Sequence, residues 1–179
     1  NKTHLADVFI KPQIHPLQVT TEITVQNISD GITLQQEIRK KGEGAYSPLG
    51  QKPVKQANVQ TVFPVQEIRL WEPENPHLYE IRTSLWKNGE MIDARVDITG
   101  FREAGFRKDG FYLNGKKLRL RGLNRHQSYP YVGYAAPASM QIFDADILKK
   151  ELGVNAVRTS HYPQSQDFIR RCDEIGLLV

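Results

Sequence analysis

Two short runs hold the residues best suited to chemistry, Asn124-Arg125-His126 and Arg158-Thr159-Ser160-His161-Tyr162. An imidazole donates and accepts hydrogen bonds near neutral pH, and a guanidinium is a rigid fork matched to carboxylates. Each run follows a short stretch that reads as a strand, Leu118 to Leu123 in one case and the buried-looking Val154-Asn155-Ala156-Val157 in the other. Read as parallel strands, these stretches deliver both runs to one rim of a sheet, where functional residues gather in α/β folds. His126 and His161 could then converge on one ligand. A lone histidine at a strand end is more often a structural hydrogen-bonder, and two on one rim bring the functional reading level with that one. Arg158 interrupts an apolar strand. Either it points out to solvent, or it turns inward to a carboxylate that the chain does not evidently supply, because an unpaired buried charge costs several kcal/mol.

The other candidates are plainer. Tyr129, Tyr131 and Tyr134 crowd the loop after His126, where they either pack the loop or stack on sugars. Cys172 lies on an apolar helical stripe and reads as a core thiol. Two histidines fall short of the three protein ligands that zinc takes, so no metal site is expected. No glycine-rich phosphate loop follows a strand, and the Asn-Gly and Asp-Gly pairs are hairpin turns.

The elements that must position these residues change character near Gly100. Before it, the chain alternates with period two. Leu17, Val19, Thr21, Ile23 and Val25 share one face of a strand, and Ile32, Leu34 and Ile38 resume the pattern. Lys40 to Lys55, with three Gly and two Pro, reads as an exposed loop. Ala57, Val59, Thr61 and Phe63 alternate again. Trp71-Glu72-Pro73-Glu74-Asn75-Pro76 is a rigid connection, since its prolines oppose both helix and ladder. Tyr79, Ile81, Thr83 and Leu85 form one face of a hairpin closed by Asn88-Gly89. The return strand is expected to place Ile92, Ala94, Val96 and Ile98 together, with Asp93, Arg95 and Asp97 outward. Six or seven strands without a helix signal predict an immunoglobulin-like β-sandwich over 1–103.

After Gly100, Asp109-Gly110 and Asn114-Gly115 bracket a second tight hairpin around Phe111-Tyr112-Leu113. Ser139 is expected to cap a helix whose stripe is Met140, Phe143, Ile147, Leu148 and Leu152, stopped by Gly153. A second helix from about Pro163 carries Phe168, Cys172 and Ile175 on one face and ends at Gly176. Residues 104–179 thus read as β-α-β-α-β, the first part of a parallel α/β domain.

The chain has 179 residues, 39% apolar and 25% charged, which excludes disorder and low complexity. Its net charge of +4 comes from scattered pairs such as Lys116-Lys117, so nucleic acid is not an expected partner. No stretch approaches the roughly 20 apolar residues that span a bilayer. One cysteine excludes an internal disulfide. The start, Asn1-Lys2-Thr3-His4, lacks an initiator Met, and the expectation is a piece of something longer. The sequence assigns no compartment.

The runs Arg121-Gly122-Leu123-Asn124-Arg125-His126 and Asn155-Ala156-Val157-Arg158-Thr159-Ser160-His161-Tyr162-Pro163 resemble glycoside hydrolase family 2. So do Gly100-Phe101-Arg102-Glu103 with Leu113-Asn114-Gly115-Lys116, and Cys172-Asp173-Glu174-Ile175-Gly176-Leu177. The resemblance implies that 104–179 begin a (β/α)8 barrel and that the parent protein is a retaining β-glycosidase, most nearly β-galactosidase-like, acting on β-linked carbohydrate. It implies two glutamates about 5 Å apart, both on later strands than this chain contains. No catalytic carboxylate is therefore assigned here, and the chain alone is expected to be inactive. Arg158 matches the arginine that holds the nucleophile carboxylate. His126 and His161 match histidines that contact sugar hydroxyls and support the transition state, and Asn124 lies in the same motif. The resemblance also implies a homo-oligomeric parent, with Mg or Na possible there and no cofactor in this piece. Gln127 stands where many members carry Glu. The alternative is a non-catalytic β-sandwich module that supports or binds carbohydrate.

Overall fold

The structure, a computed structural model, describes residues 2–179. Its residues fall into two compact units, one of 2–69 with 77–102 and one of 70–76 with 103–179.

The first unit has seven strands: β1 (His4–Ile14), β2 (Leu17–Gln26), β3 (Ile32–Lys40), β4 (Ser47–Pro53), β5 (Asn58–Pro64), β6 (Tyr79–Lys87) and β7 (Glu90–Thr99). They form two antiparallel sheets, ordered β1-β2-β5 and β4-β3-β6-β7, an immunoglobulin-like sandwich. The inner faces follow the period-two pattern. Val19, Ile23, Val25, Leu34, Ile81 and Leu85 are all buried. At the centre lies a buried polar group. Gln36 Nε2 donates to Thr21 Oγ1 at 3.1 Å and to Thr83 Oγ1 at 3.0 Å. Thr61 Oγ1 donates to Gln36 Oε1 at 2.6 Å. Every hydrogen-bonding atom of the amide oxygen and nitrogen is thus drawn to strands of both sheets.

The sandwich departs from the sequence pattern at β1, β4 and β7. The period-two pattern begins only at Leu17, yet β1 precedes it; in β1 only Val8 is fully buried, and a bulge near Ala6 breaks the alternation. Residues 40–55 are not all loop, because β4 pairs with β3 as an edge strand. Prolines are tolerated at such an edge, and Gly50 fits there because a Cβ would lie 2.3 Å from the Phe63 ring. The faces of β7 are the reverse of the expected ones. Lys87 pairs with Glu90 and Trp86 with Met91, but Leu85 pairs with Asp93. The extra residue at Ile92 shifts the alternation by one, as a β-bulge must. Asp93, Arg95 and Asp97 therefore share the face of Leu85, Thr83 and Ile81, and Ile92, Val96 and Ile98 are 40–49% exposed. The inward polar face has a use: Asp93 Oδ2 accepts the Leu5 backbone N–H at 2.7 Å.

In the second unit, β8 (Ala104–Arg107), β9 (Gly110–Leu113) and β10 (Lys116–Lys117) make a small meander. Asn114 and Gly115, both at positive φ, supply its second turn. Then β11 (Gly122–Arg125) pairs in parallel with β12 (Ala156–Thr159), and Leu178 bridges in parallel to Ala156. Between these strands run α1 (Ala138–Asp146), continued by a wider π-helical turn over Ile147–Glu151, and α2 (Gln166–Ile175). Ala145, Leu148, Val157, Phe168, Cys172 and Leu177 form the core under the helices. The Trp71–Pro76 connection is no helix, but it does pair with itself: Trp71 forms an antiparallel bridge with Pro76, and Glu72 and Asn75 exchange both backbone hydrogen bonds. Trp71 is fully buried, its Nε1 donates to Asp173 O at 2.7 Å, and Asn114 Nδ2 donates to its carbonyl.

Both parallel strands lie a few residues later than expected, at 122–125 and 156–159. Helix α2 matches its stripe, with Ser165 Oγ accepting from Asp167 N and Gly176 ending the helix at φ 74°. Helix α1 departs from expectation. Pro137, not Ser139, is its N-cap. Its buried residues are Gln141 and Ala145, followed by Leu148, while Phe143 and Leu152 are 63% and 56% exposed. The helix presents a polar side chain inward because a buried arginine on β11 requires it.

Candidate active-site rim

Strand register builds the site. Asn124 pairs with Arg158, and Arg125 with Thr159. Side chains alternate along each strand, so Arg125 turns toward the helices while Asn124 and Arg158 share the opposite, open face. Arg158 is exposed there, and its Nη1 approaches Asn124 Oδ1 at 3.5 Å. Among the described residues no carboxylate reaches it. Arg158 thus lies on the open face, beside Asn124.

His126 and His161 leave the ends of the two strands and meet. Their ring centroids are 6.0 Å apart, edge to face. Both are exposed to solvent. The Ser160–His161 peptide is cis. Tyr162 stands behind His126 at 6.2 Å, and Tyr134 meets Tyr162 at 5.8 Å. A hydrogen bond with Tyr162 pushes the Tyr134 hydroxyl above the usual tyrosine range. Tyr131 is fully exposed, whereas Tyr129 packs the loop, its hydroxyl donating to Met140 O at 3.1 Å. Burial raises the Tyr129 hydroxyl's pKa. The three loop tyrosines thus divide: Tyr129 packs, Tyr131 faces solvent, and Tyr134 meets the tyrosine behind His126.

Gln127 ties the two rim segments together. Its backbone N–H donates to the Tyr162 hydroxyl at 3.0 Å, and its Oε1 accepts the Ser165 N–H at 3.0 Å. The side chain is spent on the start of α2 and does not face the open rim. Beneath it, Arg125 is 5% exposed and uses its whole fork. Nε donates to Asp144, Nη1 to Gln164 Oε1, and Nη2 to Gln141 Oε1 at 2.6 Å. Its guanidinium carbon lies 3.8 Å from the Phe168 ring centroid. The sequence pattern singles out Arg125 only as a member of the motif; its partners come from three other segments.

Cys172 is buried, and burial pushes its thiol up to about 12, so it is no nucleophile at neutral pH. Among the described residues, no cluster of three or more His, Cys, Asp or Glu could hold a metal. No helix of the described residues is long and apolar enough to cross a membrane.

Two family descriptions match the chain in succession. Residues 3–102 match "Glycosyl hydrolases family 2", and residues 105–179 match "Glycosyl hydrolases family 2, TIM barrel domain". The chain belongs to glycosyl hydrolase family 2. A β-galactosidase of Thermoanaerobacter pseudethanolicus is 43% identical over 185 residues, covering all of this chain and 25% of that protein. A β-galactosidase of Thermoanaerobacterium thermosulfurigenes is 60% identical over 115 residues, covering 64% of this chain and 16% of its own length. The solved Bacteroides uniformis β-glucuronidase superposes with a TM-score of 0.82 at 30% identity, over 98% of this chain and 23% of that one. The chain therefore spans about a quarter or less of these relatives. As family members they share its architecture, a sandwich followed by the first strands and helices of a TIM barrel.

Proposed function

We propose that this chain is the part of a retaining β-glycosidase, β-galactosidase-like, that supplies the non-carboxylate side of the sugar site. The observation that carries the reading is the convergence of His126 and His161 on one rim, next to the Asn124–Arg158 pair on the same open face. The two β-galactosidases named above, at 43% and 60% identity, favour β-galactosides as the substrate class.

The chemistry follows from the groups. Retaining hydrolysis needs one carboxylate as nucleophile and one carboxyl as acid/base, about 5 Å apart. Neither is assigned to this chain. Arg158 is a fixed cation with free N–H groups on the open face. Placed beside the nucleophile, it keeps that carboxylate ionised and oriented by charge-assisted hydrogen bonds. His126 and His161 are positioned to hydrogen-bond sugar hydroxyls, contacts that strengthen as the ring approaches its oxocarbenium-like transition state. Asn124 holds the guanidinium from the neighbouring strand and offers an amide to the sugar. Tyr134, packed edge to face on Tyr162 behind His126, gives the rim an aromatic lip.

The test is hydrolysis of chromogenic β-galactoside, β-glucuronide, β-mannoside and β-glucoside by the full-length parent and by the 179-residue chain. The expected outcome is activity of the parent alone, greatest on the β-galactoside. Within the parent, His161→Ala is expected to lower kcat/KM by on the order of 10²-fold or more. A parent inactive on all four sugars sinks the glycosidase reading.

A further inference from the structure

We infer that Arg125 is a positioning residue that sets the separation of His126 and His161, and that it acts on catalysis through that separation. The inference rests on the proposed glycosidase reading of the rim. Arg125 itself cannot touch substrate, because it is turned to the helix side of the sheet and is 5% exposed.

Its partners make the case. Asp144 and Gln141 come from α1. Gln164 is three residues after His161, and Phe168 lies in the first turns of α2. Arg125 is one residue before His126. A single guanidinium thus clamps the segment carrying one histidine to the segment carrying the other, with α1 as the third anchor. A clamp of this kind costs stability to build: desolvating a charge is expensive, and buried ion pairs are often no better than well-packed apolar side chains. A flat donor fork with fixed angles does what an apolar side chain does not, since it fixes two chain segments in both distance and orientation. A strand that rolls or slides by even a fraction of its rise carries His126 with it, and misplacement by ~1 Å can cost on the order of 10²-fold in rate.

The geometry also separates positioning from mere folding. Arg125→Lys keeps a cation beside Asp144 but cannot fork to Gln141 and Gln164. Arg125→Met removes the charge and fills much of the volume. Leu148→Ala weakens the same helix-side core without touching the clamp.

In the full-length parent, kcat and KM for the β-galactoside would be measured for the three variants well below their melting temperatures. Both Arg125 variants are expected to lose on the order of 10²-fold in kcat with KM changed far less, while Leu148→Ala, at an equal or larger loss of melting temperature, keeps its kcat. In the 179-residue chain, imidazole resonances give a readout independent of activity. Arg125→Lys is expected to shift or broaden His126 and His161 and to leave His4, His15 and His77 unchanged; Leu148→Ala is expected to leave all five in place. Kinetic losses that merely track melting temperature, or unmoved His126 and His161 resonances, overturn the inference. An inactive wild-type parent overturns the reading of function instead, and the resonances still decide the role of Arg125.

Discussion

The two units each bury one polar hub, and the hubs differ in charge and in neighbourhood. In the sandwich, Gln36 is neutral and its partners are three threonines, all inside the sheet pair. In the parallel-strand unit, Arg125 is charged, and its hydrogen-bond partners are one carboxylate and two amides drawn from one helix and a loop. A neutral amide satisfied by hydroxyls lowers no activation barrier and carries no field to the surface. It pins the register of strands that would otherwise slide on apolar contacts alone. A buried cation is dearer, and it lies one residue below a pair of histidines. The contrast suggests that buried polarity far from a rim serves the fold, whereas buried charge directly under a rim serves the geometry of that rim.

The largest expected effect tests the charged hub. Asp144→Ala leaves the Arg125 cation without its carboxylate and should destabilise the parallel-strand unit by about 3–5 kcal/mol. Urea unfolding followed by hydrogen exchange of β11, β12 and α1 measures it. Arg125→Met with Asp144→Leu should recover most of that loss, and a double variant as unstable as Asp144→Ala would erase the distinction between the hubs.

The neutral hub should respond less. Gln36→Leu leaves the Thr21, Thr61 and Thr83 hydroxyls without the amide, an expected loss of about 2–3 kcal/mol. The loss should appear in the exchange of β2, β3, β5 and β6 while the histidine resonances stay put. Movement of those resonances would break the comparison.

The thiol of Cys172 sharpens the comparison by reporting on one unit alone. Its folded-state pKa, pushed up to about 12, lies above the unfolded value of about 8.5. The stabilisation is therefore complete below about pH 8.5 and is lost as pH rises toward 12. The slope is about 1.4 kcal/mol per pH unit in that window, and Cys172→Ala should remove it. At pH 8, thiol labelling should proceed only through opening of this unit, so its rate should follow Asp144→Ala and ignore Gln36→Leu.

The smallest effect lies on the sandwich surface. Hydrogen bonds from Tyr46 and then Arg39 hold the Glu80 carboxyl below the usual range. Stability from a depressed carboxyl is present above its unfolded pKa and lost as pH falls through the folded one. Glu80→Gln should flatten the acid limb of the sandwich's stability profile by less than about 1 kcal/mol, as surface pairs do.

Local and periodic features were legible in the residues themselves. Inward alternation at Val19, Ile23 and Leu34, the positive-φ turns at Asn88-Gly89 and Asn114-Gly115, and the α2 stripe with its Gly176 stop are each decided by a residue and its near neighbours along the chain. The paired motifs ending in His126 and His161 were legible for the same reason, since parallel strands must deliver their ends to one rim. The tertiary structure decided whatever depended on a partner distant in sequence. The bulge at Ile92 turned the apolar face of β7 outward because Asp93 is wanted by Leu5 across the sandwich. The edge strand β4 formed among glycines and prolines because β3 offered a free edge. Helix α1 exposed Phe143 and buried Gln141 because Arg125 must be satisfied. Periodicity records which face a residue prefers by its own hydrophobicity. It does not record a hydrogen bond formed 16 or 39 residues away, and a buried polar group obeys that bond before it obeys the pattern.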